Sequence, residues 1–156
     1  MTNLDNVNTL LRVHLGGTVV GLPASSVREL VRAVAITSMP GAPEIIEGVV
    51  NVRGQLVPVI DVRRRLALPA KALDPNEFLV ILREGTRTLA MRVDDVDDLV
   101  EIPSDGVEPS AELSPALRDL AGLTARADGV LVIYDPGAFV SQAEAEAVDA
   151  LLSNSS

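Results

Sequence analysis

The residues best suited to chemistry lie in an acidic run, VDDVDDLVE, which places four aspartates between positions 94 and 98. Clustered carboxylates can hold a divalent cation, and a metal-dependent hydrolase would use such a site. The run lacks the glycine and the distal glutamate of a calcium loop, and alternation along a strand would send Asp94 and Asp95 to opposite faces. We therefore predict a solvated strand end and no metal site.

Other catalytic groups are scarce. The only histidine, His14, alternates with apolar residues on a predicted strand, so it should face away from the apolar side as a surface residue. The absence of cysteine excludes disulfides, thiolate metal sites and a thiol nucleophile. The motifs GxSxG, GxGxxG and GxxxxGK[ST] do not occur. The sequence predicts neither an enzyme nor a cofactor.

A stretch with a different chemistry is EGVVNVRGQLVPVIDVRRRL, residues 47–66. Two runs rich in valine and isoleucine flank Arg53 and Gly54, which predicts a hairpin with the arginine at its turn. A guanidinium offers five donors in a planar fork that matches a carboxylate or the carbonyls at a helix end. Arg53 is therefore a candidate binding residue, whereas we interpret Arg63, Arg64 and Arg65 as solvated residues on a short helix or turn.

Other predicted hairpins should form the sheets that position the hairpin of residues 47–66. Turns are predicted at Gly16–Gly17, Glu84–Gly85 and Asp128–Gly129, each between short apolar runs. The stretch DDVDDLVEIP predicts one more strand. Eight to ten short strands at this spacing favour small β-barrels or a sandwich.

Two helices are expected among the strands. ASSVRELVRAVAI has Ser25 or Ser26 as a potential N-cap and apolar residues at helical spacing, which predicts a short helix running into a strand near Ile36. SQAEAEAVDALL predicts a C-terminal helix, with Ser141 and Glu144 forming a capping box.

Composition limits the function classes. The 156 residues are 47% hydrophobic but only 2% aromatic, which indicates one domain, or two small lobes that share a core, with an aliphatic interior. A net charge of -9 repels a phosphate backbone, so nucleic acid is not an expected partner. The N-terminus lacks the pattern of a signal peptide, and no stretch approaches the length of a membrane span, so we expect a cytoplasmic protein with no direct membrane insertion.

The hairpin stretch, PEIIEGVVNVRGQLVPVIDVRRRL, resembles the CheW family, the adaptors that couple bacterial chemoreceptors to the histidine kinase CheA. The family pattern is a proline, I-x-G, N-L-R-G and a V-P-V-I/V-D strand. Its counterparts here are Pro43, Ile46, Gly48, Asn51, Val52, Arg53, Gly54, Val57, Pro58, Val59, Ile60 and Asp61. Only the leucine of N-L-R-G is changed, to Val52, and the resemblance extends from about residue 10 to about residue 140.

The resemblance implies a mainly β fold of two five-stranded SH3-like β-barrels that share a core, with short helices and a C-terminal helix. We accordingly expect a disordered N-terminus at 1–8, a CheW-like domain at 9–140, and a C-terminal helix and tail at 141–156. A kinase fragment is a related alternative, but a chain of this length has no room for the other domains of CheA.

The resemblance also implies a non-catalytic scaffold with two partners, recruited to membrane-associated chemoreceptor arrays. One is the helical cytoplasmic tip of a chemoreceptor, and the other is the regulatory domain of CheA. The predicted receptor-binding residues are Val27, Glu29, Gly48, Asn51, Arg53 and Gly54. The predicted kinase-binding residues are Leu30, Val34 and Ile36. The alternatives are a regulator that binds a metabolite or acts without receptor coupling, and the metal-dependent hydrolase considered above.

Overall fold

A computed structural model describes residues 7–65, 68–103, 108–109, 122–126, 129–133 and 140–154. Its strands are β1 (Val7–Leu15), β2 (Thr18–Pro23), β3 (Val27–Arg32), β4 (Ile46–Val52), β5 (Gln55–Ile60), β6 (Phe78–Glu84), β7 (Arg87–Val93), β8 (Asp95–Pro103), β9 (Glu108–Pro109), β10 (Gly122–Arg126) and β11 (Gly129–Ile133). Its α-helices are α1 (Val62–Arg65) and α2 (Gln142–Asn154). No helix in these ranges is long and apolar enough to cross a bilayer.

The strands form two sheets. The first sheet has the order β8-β1-β2-β11-β10-β9, and the second has the order β3-β6-β7-β5-β4. Pairing is antiparallel except between β2 and β11 and between β5 and β7, which run parallel. The predicted fold of two SH3-like barrels is confirmed, with the two-residue β9 as a sixth strand in the first sheet.

Strand β6, between β3 and β7 in the second sheet, is buried on both faces, because its alternate residues enter different clusters. Val80 and Leu82 join a large cluster with Val13 and Val20 of the first sheet. Leu79 and Ile81 face the opposite way into the second cluster, whose buried members also include Val50, Val57, Val59 and Ala90. Each such side chain stabilises the fold by roughly 1.5–3 kcal/mol. The large cluster is therefore the interior that the two sheets share.

The C-terminal helix forms as predicted, with a reciprocal cap. The backbone N–H of Glu144 donates to Ser141 Oγ at 3.1 Å, and the N–H of Ser141 donates to Glu144 Oε1 at 2.8 Å. These bonds satisfy backbone donors that the first turn leaves without helical partners. Val148 packs into the large cluster, which fixes α2 to the barrels.

The short helix predicted to begin at Ser25 or Ser26 and to run into a strand near Ile36 is wrong. Only a 3-10 turn forms, at Ala24–Ser26, and the next residues are strand β3. Val27, Glu29 and Val31 are less exposed than the residues between them, which is the two-residue period of a strand, and β3 pairs with β6 along its length. Pairing at the sheet edge outweighs the helical spacing of the apolar residues.

Smaller differences concern the turns and the N-terminus. The turn predicted at Glu84–Gly85 lies one residue later, between Glu84 and Arg87. β1 begins at Val7 and pairs with the end of β8, within the segment predicted as disordered; residues 1–6 lie outside the described residues. Arg126 pairs with Gly129 in the last hairpin, while Asp128 lies outside the described residues.

Candidate binding site at the β4–β5 turn

The β4–β5 turn has the geometry predicted from its sequence. Arg53 has φ of 52° and Gly54 has φ of 86°, so both central residues adopt the left-handed conformation of a type I′ turn. This conformation costs a residue with a Cβ atom roughly 1–2 kcal/mol. Asn51 offsets part of the cost, because its Oδ1 accepts the N–H of Gly54 at 2.7 Å. The turn therefore holds an arginine at a position usually occupied by Asn, Asp or Gly.

The Arg53 side chain projects from this turn and is held on one side. Its Nη1 donates to Glu29 Oε2 at 2.7 Å, and 75% of the side-chain surface remains exposed. Glu29 is only 22% exposed, and its Oε1 is buried without a hydrogen-bond partner. The pair thus anchors the guanidinium at one nitrogen and leaves most of its planar fork facing outward.

A shallow depression of about 110 Å³ lies beside this pair. Its apolar floor comes from Val52, Val57 and Ile81, of which the last two are buried members of the second cluster. Its polar lining residues are Arg28, Glu29, Arg53 and Gln55. The site therefore combines an apolar floor with the guanidinium of Arg53, whose direction is fixed by Glu29. This arrangement suits an amphipathic protein segment.

The structure brings together four of the six predicted receptor-binding residues: Glu29, Asn51, Arg53 and Gly54. Val27 instead packs against the large cluster, and Gly48 lies beneath residues Ile36 and Thr37. Sequence reasoning missed Arg28 and Gln55, whose side chains approach at 3.4 Å. They are 27 positions apart, and no local pattern connects them.

The predicted kinase-binding residues differ in exposure. Leu30, on β3, is 43% exposed, and Val34, in the loop after β3, is 49% exposed. Ile36 is partly buried and packs against the second cluster. Leu30 and Val34 are therefore accessible to a partner, whereas Ile36 has a clear packing role.

Arg63 does not lie in solvent, contrary to the prediction for the three-arginine run. It is 7% exposed, and its Nη2 donates to Asp94 Oδ1 at 2.5 Å. Arg64 is exposed and bonds to Glu44 at 2.6 Å. The buried arginine is explained by a carboxylate that lies 31 positions later in the chain.

Asp94 is likewise more than a solvated strand end. It accepts the N–H of Gly16 at 2.7 Å and lies 3.2 Å from Lys71 Nζ, in addition to Arg63. Burial by itself raises the pKa of Asp94, but these hydrogen bonds outweigh burial and lower the pKa from 3.8 to about 2. Asp94 therefore joins the β1–β2 turn of the first sheet to helix α1.

His14 lies beside one carboxylate of the acidic run. His14 Nε2 lies 3.5 Å from Asp97 Oδ2, and both side chains are more than one-third exposed. Within the part of the chain that the structure describes, no group of three acidic or histidine side chains could hold a metal ion.

A second groove, of about 240 Å³, lies between α2 and strands β5 and β7. Its apolar walls include Leu56, Leu89 and Val148. Arg87 and Asp149 also line it, and Arg87 donates from Nε and Nη2 to Asp149 Oδ2 at 3.1 and 2.9 Å. Pockets for drug-sized ligands occupy about 300–1,000 Å³, so the volume of this groove is below that range.

Comparisons with known proteins agree with the fold and the motif. The chain is 30% identical to chemotaxis protein CheW of Klebsiella aerogenes over 137 residues, which cover 86% of this chain and 82% of that protein. It is 30% identical to a probable chemotaxis protein CheW of Rhizobium etli over 126 residues, which cover 78% and 80%. The crystal structure of the scaffolding protein TtCheW from Thermoanaerobacter tengcongensis superposes with a TM-score of 0.73 at 26% identity, covering 81% of this chain and 87% of that chain.

The model of the CheW-like domain matches residues 9–144. That range includes both sheets and the β4–β5 turn, and it ends within the first turn of α2. The chain therefore belongs to the CheW-like domain family.

Proposed function

We propose that this protein is a non-catalytic chemotaxis adaptor that couples the helical tips of chemoreceptors to the histidine kinase CheA. It acts in the cytoplasm, recruited to receptor arrays at the membrane. Membership of the CheW-like family and the chemotaxis proteins and scaffolding protein among its relatives support an adaptor role. The finer assignment, coupling of receptors to CheA, follows from the family resemblance.

The observation that carries the receptor assignment is the exposed, directed guanidinium of Arg53 beside an apolar depression. A receptor tip is a helical hairpin, which offers an apolar face and carbonyl or carboxylate oxygens. The depression takes the apolar face, and the free edge of the guanidinium binds the oxygens. Glu29 accepts a hydrogen bond from Arg53 across the sheet, and Asn51 accepts one from the N–H of Gly54, so we propose that these residues position the guanidinium for the receptor.

An adaptor must hold both partners at once, which requires a second surface. Leu30 and Val34 are exposed aliphatic side chains outside the depression, and we assign the kinase to them. The metabolite-binding alternative has weaker support, because the groove beside α2 is below the volume range of pockets for drug-sized ligands.

The test is to titrate Arg53 variants against a soluble receptor signalling fragment and, separately, against CheA. Arg53→Lys keeps the charge but loses the planar fork, so it should weaken receptor binding, and Arg53→Glu should weaken it further. Loss of a charge-assisted contact at an interface costs about 2 kcal/mol, or roughly thirtyfold in affinity. CheA affinity should stay near that of the unmodified protein for both variants. The melting temperature should barely change for Arg53→Lys, which can still pair with Glu29, whereas Arg53→Glu places a second carboxylate beside Glu29 and should lower it modestly.

Arg64→Lys is the matched control, because Arg64 is also an exposed arginine in an ion pair but lies outside the depression. It should leave both affinities unchanged. Equal losses for both partners with the Arg53 variants, or a collapse of their melting temperature, would show that Arg53 stabilises the fold and would refute the receptor assignment.

A further inference from the structure

Residues 33–37, here called the strap, cross from the end of β3 to the outer edge of β4. The N–H of Ala33 donates to the carbonyl of Glu77 at 3.0 Å. Thr37 and Val49 exchange two backbone bonds, at 2.9 Å from Thr37 N–H and 2.8 Å from Val49 N–H. The strap is therefore attached at both ends to the second sheet, although only its last residue pairs as a strand would.

Gly48 lies directly beneath the strap. A Cβ atom built on Gly48 would lie 2.4 Å from the carbonyl oxygen of Thr37 and 2.6 Å from Cγ2 of Ile36. The first of these contacts is with backbone, which cannot rotate away, so the strap would have to move outward. Only glycine permits the strap to lie this close to β4.

The side chain of Ile36 uses the space that Gly48 leaves open. It packs against the second cluster, whose buried members Val50 and Val57 belong to β4 and β5. Val34, two residues earlier on the strap, is instead 49% exposed. The contact between Ile36 and Gly48 thus determines how the strap lies and, with it, where Val34 is presented.

We infer that Gly48 is a positioning residue whose bare Cα holds the strap against β4 and thereby places Val34 on the kinase-binding surface. The inference assigns Gly48 to the side of the molecule that faces the kinase and removes it from the set of receptor contacts. That the partner is the kinase rests on the proposed function, whereas the attachment of the strap to β4 does not depend on it.

Hydrogen exchange on the full-length protein tests the attachment. In Gly48→Ala, protection of the Thr37 and Val49 amides should fall about tenfold or more, while the amide of Ile81 in the centre of the sheet should keep its protection. Ser38→Thr is the control, because it adds one methyl group at an exposed residue beside the strap and should change neither amide. Unchanged protection of both amides in Gly48→Ala would overturn the inference.

Titration of Gly48→Ala against CheA and against the receptor fragment tests the consequence for binding. Gly48→Ala should weaken CheA binding about tenfold and change affinity for the receptor fragment by less than about twofold. Weakened receptor binding with unchanged CheA binding would overturn the inference. If the unmodified protein bound neither partner, the proposed function and the kinase part of the inference would both fail, and amide exchange would still decide the attachment.

Ile36→Ala provides a second route that introduces no clash, in case Gly48→Ala fails to fold. Removing the side chain that fills the space over Gly48 should also lower protection of the Thr37 amide and weaken CheA binding. If the Thr37 amide lost protection in Ile36→Ala but CheA affinity stayed unchanged, the role of the strap in kinase binding would be overturned. If the Thr37 amide kept its full protection, the contact between Ile36 and Gly48 would not hold the strap.

Discussion

Replacing Asp94 with asparagine should destabilise the protein in a way that depends on pH. Asp94 accepts hydrogen bonds from Gly16 of the β1–β2 turn, from Arg63 of α1 and from Lys71. Asparagine can still accept the bond from Gly16, but it has no charge to offset the buried guanidinium of Arg63. The change therefore removes the ionic part of the contact and leaves its shape nearly intact.

The magnitude follows from the pKa of Asp94, which the fold lowers from 3.8 to about 2. Each pKa unit corresponds to 1.36 kcal/mol, so the ionised carboxylate adds about 2 kcal/mol to the free energy of unfolding at neutral pH. Asp94 keeps 23% of its side-chain surface exposed, and solvent screening reduces the value to about 1–2 kcal/mol. Because the folded pKa is the lower one, this contribution is complete above about pH 4 and is lost as the pH falls toward 2.

Urea denaturation followed by far-ultraviolet circular dichroism measures the effect. The unmodified protein and Asp94→Asn should differ by about 1–2 kcal/mol at pH 7 and by about half as much at pH 3. Asp97→Asn is the control, because Asp97 is 43% exposed and its ionic contacts with described residues are longer, at 3.5–3.6 Å. A difference below about 0.5 kcal/mol at pH 7, or one that does not shrink at pH 3, would refute the role given to Asp94.

Three further predictions concern stability. Ser141→Ala should lower the free energy of unfolding by about 1 kcal/mol in urea denaturation, because the N–H of Glu144 loses its acceptor, and no change would contradict the observed cap. Gly54→Ala should cost about 1 kcal/mol in the same assay, since φ of 86° is strained for alanine, and an unchanged midpoint would count against a rigid type I′ turn. Ile36→Glu should lower the melting temperature by several degrees and Val34→Glu should not, because only Ile36 packs against the second cluster; equal melting temperatures would disprove that packing.

Local chemistry was sufficient to predict the hairpins. Glycine at Gly16, Gly17 and Gly54 supplies the positive φ that tight turns need, and the flanking residues alternate as strands require. The same reasoning failed for β3, because its apolar residues fit helical spacing as well as a strand edge. Only the pairing with β6, about 50 residues away, decides between the two structures.

In the candidate site, too, neighbouring residues predict the turn but not the contacts between distant residues. Arg53 and Gly54 could be placed at a turn from their neighbours in sequence, but the contact of Arg53 with Glu29 joins residues 24 positions apart. The prediction that Arg63 is solvated is wrong, although a run of arginines is typical of a solvated surface. No neighbouring residue in the sequence indicates the contact of Arg63 with Asp94. The family motif predicts Gly48 as a receptor-binding residue, whereas in the structure the space beside its Cα is occupied by the strap of the same chain.

The parallel contact between β2 and β11 has a consequence for synthesis on the ribosome. The second sheet is contiguous in sequence, from β3 to β7, whereas the first sheet combines β1 and β2 with β8 to β11. All strands of the second sheet therefore emerge before β8, and β2 lacks its parallel neighbour until β11 has been made. We expect the nascent chain to assemble its middle first and to close around it last, so that chains arrested before β11 expose the edge of β2 to pairing with other chains.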